Sequence, residues 1–221
     1  MSGYHNLPVC DLRHINDLET IRQIEGIHNV AVLVHAKDAS DEIKNALEKI
    51  PKHNVASTVY LDKNADIHMM NGITELNDGD FKTASDSVFI INGIAVIGPV
   101  SKEKTASVIF NGILAIHESL KKNCALTFLI KNGVMAYADF DSHKLYPNKM
   151  ILDAGTLSYL KPKTMLVAGN SIHVEKDITA DMLKEKQAIL FAGNEISCYA
   201  DAAPYIRATA TCGNDIKVMS E

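Results

Sequence analysis

The stretch Ser87-Val-Phe-Ile-Ile-Asn-Gly-Ile-Ala-Val-Ile97 decides how the chain is read. Two short apolar runs meet at Asn92-Gly93, and both are rich in residues that favour extended backbone. The neighbours Val108-Ile-Phe-Asn-Gly-Ile-Leu-Ala-Ile116 and Phe128-Leu-Ile-Lys-Asn-Gly-Val-Met-Ala-Tyr137 repeat the design. Asn-Gly between apolar runs is also a strong hairpin signal. A hairpin explains any one block, but not the same block returning at near-equal spacing.

The corner recurs as Asn71-Gly72, Asn92-Gly93, Asn111-Gly112, Asn132-Gly133 and Ala154-Gly155, then reversed as Gly169-Asn170, Gly193-Asn194 and Gly213-Asn214. Taken on the glycines, the steps are 21, 19, 21, 22, 14, 24 and 20 residues. A step near 20 is what stacked supersecondary units write into a sequence. Each corner is read as structural, with Gly supplying a tight bend and Asn satisfying backbone groups.

Upstream, the pattern is helical. Asn16 is expected to cap a helix carrying Leu18, Ile21 and Ile24, with Glu19 closing a capping box and Gly26 ending it. The strand Val30-Ala-Val-Leu-Val34 follows. The unit then repeats: Ser40 or Asp41 caps a helix with Ile43, Ala46, Leu47 and Ile50 on one face, Pro51 stops it, and a strand runs over 55–61. Both strands are entered through the same dipeptide, His28-Asn29 and His53-Asn54. Further turns of helix are expected at Ser101–Ala106, Ser119–Asn123 and Thr179–Lys186.

These features resemble solenoid repeat proteins in general, leucine-rich-repeat-like at the start and β-helix-like afterwards. The resemblance implies an α/β solenoid of stacked parallel strands with coils of about 20–25 residues. It is read as helix-rich at the N-terminus and mostly β toward the C-terminus. A single repeat domain spans 1–221, with helix-strand units over 16–61 and strand-corner-strand coils over 71–218.

Composition narrows the function. With 47% hydrophobic and 22% charged residues, the chain can build a packed core. A formal net charge of −5 argues against nucleic acid as a partner. No apolar run is long enough for a membrane span. The four cysteines share no CxxC spacing, which fits free thiols and a cytoplasmic location.

No phosphate loop, dinucleotide fingerprint, nucleophile elbow or HExxH is present. His28 and His53 hold equivalent places in successive units, yet a zinc site needs three or four converging ligands. His117-Glu118 and the pair Asp139 and Asp141 follow strands, where carboxylates are also ordinary loop residues. No catalytic, cofactor or metal residue is assigned.

The last coil ends in Asp215-Ile-Lys-Val218, still strand-like three residues before the final position, with no helix to cap it. The helix over 16–25 is expected to close the other end. An uncapped coil associates with a copy of itself or with another protein. The expected function is therefore a non-enzymatic scaffold that self-associates through Asp215, Ile216, Lys217 and Val218. The alternatives are a module binding a protein or carbohydrate on its sheet face, and an enzyme with a site assembled across coils. Aromatic content of 6% without tryptophan is poor for sugar stacking.

Overall fold

The computed structural model describes residues 3–81, 87–101 and 103–220. Among the described residues the strands pair only in parallel, and they form four separate sheets. About 52% of the chain is strand and 18% is helix. The near-continuous apolar runs of the sequence are what strands buried on both faces require.

The first block holds β1 (Tyr4–Asp11), α1 (Leu18–Arg22), β2 (Ile27–Ala36), α2 (Asp41–Glu48) and β3 (Lys52–Leu61), in the sheet order β1-β2-β3. The second holds β4 (Asp66–Leu76), β5 (Ser87–Ile97), β6 (Lys104–His117), α3 (Leu120–Asn123) and β7 (Cys124–Ala138), in the order β4-β5-β6-β7. The third alternates between two sheets. Its elements are β8 (Ser142–Tyr146), β9 (Lys149–Leu152), α4 (Ala154–Ser158), β10 (Thr164–Ala168), β11 (Ser171–Val174), α5 (Ala180–Lys186), β12 (Ile189–Ala192), β13 (Glu195–Cys198), α6 (Ala203–Thr209), β14 (Thr211–Cys212) and β15 (Asp215–Val218). Here β8-β10-β12-β14 form one sheet and β9-β11-β13-β15 the other.

The expectation of a helix-rich N-terminus fails. Helices of five and eight residues stand there against strands of eight, ten and ten. The strand β1 was missed because Pro8 and a polar start hide its alternation. The first helix is capped by Asp17, whose side chain accepts from Thr20 N at 2.7 Å, rather than by Asn16. It does not close an end. It lies beside α2, and its Ile21 shares a core with Leu33 and Leu47 on one sheet face. Ser40 and Thr179 cap α2 and α5 as expected. The segment 101–106 is not helical where it is described, because β6 begins at Lys104; Lys102 lies outside the described residues.

The central sheet positions everything else. Along β5, Phe89, Ile91, Ala95 and Ile97 point into one core, closed by Phe81, Val100 and Leu120. The opposite face divides at the Asn-Gly bend. Before it, Val88 and Ile90 pack on Val32, Val34, Val59 and Leu61 of the first block. After it, Ile94 and Val96 pack on Met165, Val167 and Phe191 of the third. One short sequence thus serves three cores, because strand alternation selects the face and the bend selects the neighbour. Buried Arg13 ties the first block to the second. It donates to Asp11 at 2.9 Å and to the carbonyls of Asp62 and Ala65 at 3.0 and 2.9 Å.

Candidate interaction site at the last rung

The Asn-Gly corners fall into register columns. Asn71, Asn92, Asn111 and Asn132 align across β4–β7, as do Gly72, Gly93, Gly112 and Gly133. They lie inside continuous bent strands rather than between two strands. Asn92 donates its amide to Asn71 at 3.2 Å and Asn111 to Asn92 at 2.9 Å. All four glycines have positive φ, from 84° to 137°. In addition, a Cβ on Gly93, Gly112 or Gly133 would press against the carbonyl of the glycine one strand earlier. Gly is needed there twice over, for conformation and for close approach.

The reversed corners differ. Gly169-Asn170, Gly193-Asn194 and Gly213-Asn214 join β10 to β11, β12 to β13 and β14 to β15. These glycines do not have positive φ; each is required because its Cα abuts the preceding rung's carbonyl. Asn194 N donates to Asn170 O at 2.8 Å, Asn214 N to Asn194 O at 2.7 Å, and the Asn214 amide to that of Asn194. The first member of this column is Pro147-Asn148, since Asn170 N donates to Asn148 O at 2.7 Å. Contrary to the sequence expectation, Ala154-Gly155 is not a corner: it opens α4, capped by Asp153, which accepts from Thr156 N at 2.6 Å. With no preceding rung at β8, nothing demands Gly at 147, and the sequence signal vanishes.

A third ladder was half visible. His5-Asn6 precedes His28-Asn29 and His53-Asn54, and the same dipeptide 23 residues upstream was the available clue. The three asparagines have φ near 55°, and their amides are chained at 2.9 Å. The imidazoles stack with centroids 4.8 and 4.9 Å apart and planes within 11°. Stacked rings set their nitrogens side by side instead of aiming them at one point, so the row is poorly shaped for zinc. Among the described residues, no group of three or more His, Cys, Asp or Glu is arranged to hold a metal ion.

Two serine-histidine-acid sets carry the remaining chemistry. Ser119 Oγ lies 2.8 Å from His117 Nδ1, whose Nε2 is 3.6 Å from Asp139. Ser119 Oγ also accepts from Val100 N at 3.2 Å, and Lys163 grips Asp139 at 2.7 Å. The hydrogen bond and charge of Lys163 hold the Asp139 carboxyl below its usual range. The second set is Ser197, 2.9 Å from His173, with Glu175 3.6 Å beyond. Both acid contacts exceed hydrogen-bond range, and the second set is half-buried. The Cys10 thiol is pushed up to about 11 by burial and by Asp11, which keeps it protonated.

Exposure of core columns singles out the end of the third block. In one column Met150, Ile172 and Ile196 are buried while Ile216 is partly exposed. In the next, Leu152, Val174 and Cys198 are all 0% exposed, whereas Val218 is 38% exposed. Asp215 and Lys217 occupy the outer face, with Lys217 bonded to Glu195 at 2.5 Å. Two depressions lie near β15. One is lined by Arg207, Ala210, Thr211 and Cys212, the other by Lys176, Tyr199, Asp201 and Met219.

No protein-family model, curated protein or solved structure matches this chain. Among the described residues, no helix is long and apolar enough to cross a membrane.

Proposed function

We propose that the chain is a short solenoid acting as a non-enzymatic scaffold, and that it self-associates through the open end of its stack. The observation carrying this reading is partial loss of cover at Ile216, which still packs on the third-block core with α6 against β15, and exposure of Val218, beside a strand edge unpaired among the described residues. A parallel stack exposes backbone donors and acceptors at its last rung, and another chain can continue the ladder there. The negative charge disfavours nucleic acid as partner. Four free thiols fit a reducing, cytoplasmic setting.

Sedimentation of the full chain from about 1 to 100 µM, where modest interfaces form, tests the reading. Mass rising above the monomer is expected, and a Val218→Glu chain remaining monomeric links the effect to β15. A monomer throughout that range overturns the proposal.

A further inference from the structure

We infer that the occupant of β15 is β15 of a second copy, paired antiparallel about a two-fold axis at Ile216. This rests on the self-association proposed above and specifies its geometry. A two-fold contact closes on itself and gives a dimer, whereas end-to-start stacking gives an open fibre.

The other end of the stack rejects continuation. A copy adding to β14 with its own β8 would place Pro147 in the column of Gly169, Gly193 and Gly213. Gly169 and Gly193 donate their N–H to the preceding rung at 2.9 and 3.0 Å, and each has room only for hydrogen at Cα. Pro147 has a ring and no N–H. The first strand of the central sheet is also polar where inner strands are apolar. His68, Thr74 and Glu75 align with Phe89, Ala95 and Val96, and Glu75 is held by His143 at 3.2 Å.

The edge of β7 is guarded as well. Its pairing with β6 slips between Val108 and Ile109, leaving Leu129 as an extra residue, 42% exposed. Such a bulge spoils edge pairing. Lys131 covers Phe128 and Lys121 covers Tyr137, at 4.8 and 5.0 Å from the ring centres. The β15 edge has neither device.

Its sequence is also self-complementary. Antiparallel pairing centred on Ile216 sets Asp215 opposite Lys217 of the second copy, and the reverse, on the outer face. On the inner face Ile216 meets its own copy, which extends the exposed core column across the axis. Opposite charges directly across such a pair stabilise it and like charges weaken it.

The test is charge reversal on the full chain, read as dimer dissociation constant by sedimentation, with thermal melting to confirm folding. Asp215→Lys sets like charges opposite at both symmetry-related positions and is expected to weaken the dimer about tenfold. Adding Lys217→Asp to that variant restores complementarity and recovers the dimer. In end-to-start stacking, Asp215 would instead face Lys149 of the next copy, so the double reversal would not rescue. Mass growing beyond the dimer, or a folded double variant no tighter than Asp215→Lys, overturns the two-fold geometry while leaving self-association standing. A wild-type chain that stays monomeric overturns the broader reading.

Discussion

The first and last rungs of the third block share one architecture and differ in cover. At the first rung Met150 and Leu152 are buried as deeply as their inner counterparts. At the last rung the equivalent Ile216 and Val218 are not. The asymmetry extends to backbone chemistry: the first rung carries Pro147, and the last keeps Gly213. Two sheets of parallel strands therefore have unequal edges, and the inequality lies in a few side chains.

Glycine substitutions should expose the corresponding difference between an inner and a first strand most strongly, in the central sheet. Gly112→Ala adds a Cβ that collides with the Gly93 carbonyl at a φ of 123°. Rigid backbone on both sides leaves no relief, so a loss of roughly 4 kcal/mol is expected, enough to unfold many domains. Gly72→Ala, in the first strand, meets nothing within 4 Å and bears only its positive φ of 84°. A cost of about 1 kcal/mol should follow. Urea midpoints of the two variants compare them directly, and equal losses would remove the distinction between inner and end rungs.

Core truncations sharpen the same contrast. Ile196→Ala empties a fully buried inner site and should cost about 3 kcal/mol, whereas Ile216→Ala at the last rung should cost about 1 kcal/mol or less. The comparison belongs at protein concentrations low enough for the monomer to dominate. If Ile216→Ala destabilises as much as Ile196→Ala there, the last rung is covered within one chain.

How much of this was legible follows from what each residue type is needed for. Columns that require Gly for conformation, such as Gly93 and Gly112, were visible because the sequence cannot substitute there. Their partners Asn92 and Asn111 were visible with them. Pro147 was invisible because it stands where the constraint first becomes absent. The strand β1 was hidden by Pro8, although His5-Asn6 repeats a dipeptide already in use. The division into three blocks left no local mark. Between β7 and β8 the one buried residue is Phe140, which packs edge-on to the rings of His117 and His143. Sites made by distant strands, such as His173 with Ser197, cannot be seen without the register.

Electrostatics contrasts the beginning of the chain with its end. Burial alone would raise the Asp11 carboxyl, but hydrogen bonds and charge from Arg13 outweigh it and leave the group below its usual range. A carboxyl lowered by folding stabilises the fold above its unfolded pKa, and that contribution fades as pH falls through the folded one. Wild-type stability should therefore decline below about pH 4, and Asp11→Asn should flatten part of that decline. A slope unchanged by Asp11→Asn would show that the pair contributes nothing to folding.

At the far end, Lys217 and Glu195 form an exposed pair, and the Glu195 hydrogen bond raises the lysine above its usual range. Water and salt screen such a pair, and fixing two mobile side chains offsets much of the attraction. Lys217→Met should therefore leave the melting temperature of the monomer almost unchanged. Its effect should appear in assembly, because the substitution removes the only cation of β15 from the edge where Asp215 of a second copy is proposed to meet it. A folded variant with weakened dimer and unaltered melting assigns Lys217 to the interface; unaltered dimer affinity would leave it a solvated residue on the outer face.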